Sequence, residues 1–114
     1  LIAASLAAGA VVAGAAPAVV DRLVQAGTQL GLAFQAADDV LDVVSTSDQL
    51  GKTAGKDLAQ EKATWVRVEG LAAAQARVRR YGLKGLGLLE SALPPGPATL
   101  RLLALARIMW QRNH

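Results

Sequence analysis

Apolar residues recur at every third or fourth position over most of the chain, which is the spacing of helices that bury one face. The longest such pattern runs from Pro17 to Val44, and a shorter Ala-rich segment covers residues 1–14. Two more patterns cover Leu71–Leu93 and Ala98–Arg112, and no segment alternates as a strand does. The chain is therefore predicted to be all-α.

Proline and glycine mark the predicted boundaries of these helices. Pro17 suits the first turn of a helix, Gly70 is expected to break one, and Pro94–Pro97 reads as a connector. The polar, Gly-containing segment Ser45–Glu61 is predicted to be the main loop, with a helix start at Thr64. The length of 114 residues allows one domain.

The same pattern predicts how the helices pack. Gly27 and Gly31 lie one turn apart, and glycine in a helix interior costs about 1 kcal/mol relative to alanine. A neighbouring helix is therefore expected to approach closely at both. In the third pattern, the inward side chains are predicted to be Ala73, Ala76, Leu83, Leu86 and Leu89, and the outward ones Arg77, Arg79, Arg80 and Lys84.

Three carboxylates interrupt the longest apolar pattern, at Asp38, Asp39 and Asp42. On a helix that advances about 100° per residue, they share an arc of roughly 100° with Gln35. Because apolar residues occupy the rest of the helix, it is predicted to be buried, with its acidic stripe facing an internal cleft. Buried like charges need a positive partner. This spacing suits Mg²⁺, which completes its shell with waters and substrate phosphates; a solvated acidic face is less favoured, and an EF-hand is excluded.

Three lysines follow the carboxylates, at Lys52, Lys56 and Lys62. Each could contact a phosphate oxygen as a mobile positive charge, so metal and ammonium groups together suit a diphosphate. The alternative is that they are ordinary exposed loop residues, and for Lys56 both interpretations are equally favoured. A P-loop is rejected because Thr46 stands where that motif requires glycine before Gly51-Lys52-Thr53.

Charge is distributed unevenly along the chain. Residues 1–50 carry a net charge of −4, and residues 51–114 a net charge of +7. Nucleic acid is not favoured as a partner, because the basic residues are not interleaved with aromatic ones. The length of Leu1–Val20 admits a membrane-spanning helix, but its Ala and Gly content and Pro17 favour a buried helix, so no stable membrane insertion is expected. The absence of Cys is compatible with a cytoplasmic location.

Three segments of the chain resemble, in their order and spacing, the C-terminal half of trans-isoprenyl diphosphate synthases. The resemblance is greatest to the farnesyl and geranylgeranyl diphosphate synthases. The segments are LAFQAADDVLD at Leu32–Asp42, LGKTAGKDL at Leu50–Leu58 and EKAT at Glu61–Thr64. The resemblance implies the C-terminal helices of the isoprenoid synthase bundle, with residues 1–114 forming the C-terminal half of a polyprenyl synthetase domain. It also implies a homodimer.

The resemblance further implies a Mg²⁺-dependent prenyltransferase. Such an enzyme condenses isopentenyl diphosphate with an allylic diphosphate to give short-chain trans-prenyl diphosphates, and its metals and lysines stabilise the leaving diphosphate. Residues that match the family's second aspartate-rich, metal-binding motif are Asp38, Asp39 and Asp42, and those that match its substrate contacts are Gln35, Lys52 and Lys62.

The sequence departs from that family in what it lacks. The first aspartate-rich motif, which the family carries upstream, is absent, and the chain opens with Leu1 rather than Met. We therefore expect a portion of a longer enzyme that is inactive without the N-terminal half of the same protein. The alternative is a non-catalytic partner subunit of another synthase. The role of Arg112, which could reach a diphosphate, stays open.

Overall fold

A computed structural model describes residues 1–48, 66 and 68–111, and it arranges them as four helices. Their bounds are Ile2–Val12 (α1), Pro17–Asp48 (α2), Leu71–Ala92 (α3) and Pro97–Trp110 (α4). Strands are absent from this described part of the chain. The all-α prediction is confirmed, and the predicted helix at residues 1–14, the start at Pro17 and the connector after α3 are also found.

The end of α2 differs from its prediction. The helix continues through Ser45 to Asp48, so placing the start of the loop at Ser45 was wrong. Ser, Thr and Asp lower helix propensity by less than about 1 kcal/mol each, which is too little to end a long, packed helix. The rest of the predicted loop and the helix start at Thr64 lie outside the described residues.

A glycine turn joins α1 to α2. Gly14 has a φ of 76°, in the left-handed region that favours glycine. Its N–H donates to the carbonyl of Val11 at 3.0 Å, and the N–H of Ala15 donates to that of Ala10 at 3.0 Å. These two bonds form a Schellman motif, which gives hydrogen-bond donors to carbonyls at the end of α1 that have no partner within the helix. The turn lets α1 fold back along α2.

α1 is less buried than the sequence suggested. Only Ala10 is buried in it, whereas Leu1, Val11 and Val12 are exposed. The predicted buried helix was therefore wrong for this chain, because α2 is the only described helix whose backbone closely approaches that of α1. None of the described helices is long and apolar enough to cross a membrane.

The core forms where α2 packs along α3, its most extensive partner, and against α1 and α4. Leu30, Val40 and Leu89 are fully buried large side chains in this core. Most other side chains in the core are small, which lets the helix axes approach closely. The fully buried alanines are Ala26, Ala33, Ala37 and Ala74.

The inward face of α3 was only partly predicted. Leu86 and Leu89 are buried as expected, but Leu83 is 55% exposed, and Ala73 and Ala76 are also exposed. The buried stripe instead follows Ala74, Val78, Gly82, Gly85, Leu89 and Ala92. Glycines carry no apolar signal in a sequence pattern, so the face they occupy was assigned to the surface.

Two of these glycines make room for large side chains. At Gly82 an added Cβ would overlap the indole ring of Trp110, and at Gly85 it would stand 2.7 Å from Cγ of Leu30. The prediction of close approach was also right for Gly27, where a Cβ would stand 2.5 Å from Cα of Ala3. It was wrong for Gly31, which has no such neighbour within 4 Å.

Gly27→Ala is expected to destabilise the fold, because the added methyl group would force the backbone of α1 away from α2. We expect a loss of about 1–3 kcal/mol in the free energy of unfolding. Gly31→Ala is the matched control, one turn away in the same helix, and should instead be neutral or stabilising by up to about 1 kcal/mol. Urea unfolding followed by far-UV circular dichroism measures both, and equal effects would contradict the close contact.

Candidate metal and diphosphate site

The core side of α2 fixes where its carboxylates lie. Ala33, Ala37 and Val40 are fully buried against the other helices. Asp38 and Asp39 lie between Ala37 and Val40 in the sequence and point away from this buried side. They are half-buried at the edge of the core. The acidic stripe is thus positioned by a rigid, apolar helix and not by a loop.

The stripe does not face an internal cleft within the described chain. Asp38, Asp39 and Asp42 are half-buried, but Gln35 is exposed, as is Leu32 at 43%. The predicted burial of α2, with its stripe in a cleft, is therefore not found within the described residues, because the other described helices cover only one of its sides. No charged side chain among the described residues is fully buried.

The stripe has the right donors for part of a magnesium shell. Asp38 and Asp42 stand one turn apart on the same helix, with Asp39 beside them, and carboxylate oxygens are the ligands that Mg²⁺ prefers. Within residues 1–48, 66 and 68–111, no group of three or more His, Cys, Asp or Glu side chains is arranged to hold a metal ion. Since Mg²⁺ binds through one or two carboxylates plus waters and phosphates, the stripe fits as one side of such a site.

Lys52 and Lys62, the two lysines predicted to contact substrate, lie outside the described residues, as do Lys56 and Arg112. Their roles stay predictions. The structure does describe both flanks of the lysine segment: α2 ends at Asp48, and Val66 is 2% exposed in the core. Both flanks are therefore attached to the same helical bundle that carries the carboxylates.

An ion pair that was not predicted follows this segment. Arg77 and Glu69 lie 2.6 Å apart, Nη2 to Oε1, and they bridge the helix break at Gly70. Gly70 has a φ of 92°, which confirms the predicted break. Arg77 was expected among outward arginines and is instead half-buried, whereas Arg79, Arg80 and Lys84 are exposed as predicted. The sequence pattern could not predict this ion pair, because its two residues are eight positions apart on either side of a break in the helix.

Two apolar cavities of about 310 and 270 Å³ lie between α1 and α4. They contact α2 through Val19, Leu23 and Leu30, all N-terminal to the acidic stripe. Neither is lined by a charged side chain. The cavities are therefore separate from the carboxylates.

Comparison with known proteins gives the site its context. The family model described as Polyprenyl synthetase matches residues 1–84. The whole chain is 36% identical to a geranylgeranyl diphosphate synthase of Cyanophora paradoxa, of which it spans 37%. Over 76% of the chain it is 42% identical to a short chain isoprenyl diphosphate synthase of Methanothermobacter thermautotrophicus, and it spans 27% of that protein.

A third relative is named as part of a heterodimer. It is the heterodimeric geranylgeranyl pyrophosphate synthase large subunit 1, chloroplastic, of Arabidopsis thaliana, which is 45% identical over 62% of this chain. The chain spans 19% of it. No solved structure matches the chain.

The chain belongs to the polyprenyl synthetase family, because the family model covers most of its length. This confirms the family predicted from the three sequence segments. The chain nevertheless spans only 19% to 37% of the length of these relatives.

Replacing Asp38 and Asp42 together by Asn should weaken binding of inorganic diphosphate in the presence of Mg²⁺. The physical reason is that the acidic stripe, which would hold the metal, loses two of its negative charges. Calorimetric titration of the chain measures this, with Asp21→Asn as the control, since Asp21 is an exposed carboxylate on the same helix. Equal binding by the double variant and the control would contradict the assignment.

Proposed function

We propose that this chain is part of a Mg²⁺-dependent prenyltransferase that condenses isopentenyl diphosphate with an allylic diphosphate to give short-chain prenyl diphosphates. The observation that carries the proposal is the row of Asp38, Asp39 and Asp42 on α2, in a chain of the polyprenyl synthetase family. The names of the relatives support the short-chain product class. Their greater length supports a complete enzyme that contains more than this chain.

Each predicted residue has a defined task in this proposal. Asp38 and Asp42 hold Mg²⁺ from one side of the cleft, with Asp39 adding negative charge beside them. When bound, Mg²⁺ neutralises the charge that develops on the departing diphosphate. Lys52 and Lys62 contact the same diphosphate as mobile cations, so its leaving is stabilised electrostatically.

The remaining tasks are orientation and exclusion of water. Gln35, one turn before Asp39 on α2, is proposed to orient the substrate through its amide group. Phe34 and Leu41 are half-buried apolar neighbours of the stripe. Next to the allylic carbons they would keep water away from the cation that forms when the diphosphate leaves. Isopentenyl diphosphate then adds through its double bond, and a proton is lost.

The rest of the site is proposed to come from the N-terminal half of the same protein. Residues 1–114 then form the C-terminal half of a polyprenyl synthetase domain, and the other half supplies the first aspartate-rich motif. We also propose a homodimer and a cytoplasmic location. Two of the relatives named here carry no compartment in their names, and the third is called chloroplastic.

A non-catalytic partner subunit is the second candidate. One relative is named as a subunit of a heterodimeric synthase, which favours an assembly of unlike chains. The acidic row and the two lysines oppose this candidate, since a purely structural subunit needs neither. Copurification of the chain with a complete, active synthase would favour the subunit role, and purification without one would oppose it.

In the complete protein, Asp38→Asn should lower kcat/KM for the allylic substrate by about 10²–10³-fold, because stabilisation of the leaving diphosphate is lost. The assay supplies Mg²⁺, isopentenyl diphosphate and an allylic diphosphate, and it detects a lengthened prenyl diphosphate. Asp21→Asn is the control and should retain activity. An unchanged rate in Asp38→Asn would contradict the metal role, and the absence of any lengthened product from the unaltered protein would contradict the function.

A further inference from the structure

The Glu69–Arg77 ion pair links the two sides of a break in the helix. Gly70 lies at the break with a φ of 92°, in the left-handed region that most other residues avoid. Because glycine restricts its own backbone angles least, it fixes the direction of the chain before α3 only weakly. Arg77 is within α3, and its guanidinium lies 2.6 Å from the carboxylate of Glu69. The pair therefore adds a side-chain link across the break.

This ion pair is partly shielded from water. The side chains of Arg77 and Glu69 are 34% and 18% exposed, so their attraction is screened less than that of a pair on the open surface. The other carboxylate oxygen of Glu69, Oε2, is buried and accepts no hydrogen bond from the described residues. Without Arg77, the carboxylate would be a poorly hydrated charge. It could regain water only if the chain before Gly70 moved outward.

The chain before Gly70 leads directly to the lysine segment, residues 49–65. Val66 follows that segment; it is 2% exposed in the core, and its carbonyl accepts a hydrogen bond from the N–H of Gly70 at 2.6 Å. Lys62 precedes Val66 by four residues, which span at most about 14 Å. Lys52 precedes it by fourteen, which span up to about 50 Å. A displacement of this anchor is therefore transmitted to Lys62 much more than to Lys52.

We propose that Glu69 and Arg77 are positioning residues that hold the chain beside Lys62 in place for its contact with the diphosphate. The inference rests on the proposed function, which assigns that contact to Lys62; this lysine lies outside the described residues. A charge-assisted hydrogen bond from an ammonium group forms only where the backbone brings its side chain within reach of the phosphate oxygens. The pair acts through Lys62 and not by contacting the substrate itself.

Steady-state kinetics of the complete protein test the proposal. Arg77→Gln should lower kcat/KM for the allylic diphosphate by about 10-fold, within the range expected for loss of one hydrogen bond to a charged group. A rise in KM should be part of this loss, because bound substrate makes the contact as well as the transition state. Partial misfolding has a different signature, since it lowers the apparent kcat and leaves KM unchanged. Arg79→Gln, at an exposed position of α3, is the matched control and should leave KM unchanged.

Further variants separate positioning from a general loss of charge. Adding Glu69→Gln to Arg77→Gln should restore much of the original KM, because a neutral amide no longer needs to move outward to be hydrated. In protein that already carries Lys62→Gln, Arg77→Gln should raise KM no further. In protein that carries Lys52→Gln, it should keep its full effect, since independent sites act additively.

The outcomes distinguish this inference from the function on which it rests. If the unaltered protein forms no lengthened prenyl diphosphate, the proposed function is overturned and the inference with it. If the unaltered protein is active, the inference alone is overturned when Arg77→Gln leaves KM unchanged. It is also overturned when the effect of Arg77→Gln persists in protein that carries Lys62→Gln.

Discussion

Close contact between helices is the constraint on which the rest of the structure depends. At Gly27 the backbone of α1 touches that of α2, and at Gly85 the side chain of Leu30 fills the space that a Cβ would need. Interiors packed at this density tolerate little rotation, so α2 is held in one orientation between its neighbours. That orientation turns Val40 toward the core and leaves Asp38 and Asp42 half-buried at its edge.

The electrostatics of the stripe follow from this orientation. Three carboxylates on one helix face repel one another, and the helix cannot turn to separate them because its alanine side is fixed in the core. A divalent cation with a diphosphate would relieve that repulsion, which is the role proposed for the stripe. In the proposed function, the chain supplies one side of such a site. The relatives are about three times its length.

Helix class, helix starts and the glycine break were predictable because they rest on local chemistry. Pro17 fixes a helix start through its own φ, and Gly70 permits a backbone angle that other residues avoid. The family was predictable because three short segments occur in order. Which side of each helix is buried was less predictable. Of the neighbours Gly82 and Leu83, the sequence favours the leucine as the core residue, but the structure buries the glycine.

The errors share a physical cause. Apolar periodicity tells which residues could be buried, whereas burial itself depends on how many neighbours surround a helix. α1 and α2 have apolar residues on more sides than the described helices cover, so Val12 and Leu32 are exposed against expectation. The Glu69–Arg77 pair was missed for a related reason, because a tertiary contact across a break leaves no repeat in the sequence.

The acidic stripe of α2 is proposed to bind a metal–diphosphate complex. The most direct measurement is nuclear magnetic resonance of the ¹⁵N-labelled chain during titration with Mg²⁺ and inorganic diphosphate. We predict amide shift changes concentrated at Gln35–Asp42 and around Lys52 and Lys62, and only when both components are present. Changes confined to the cavities between α1 and α4, or none at the stripe at saturating concentrations, would contradict the claim.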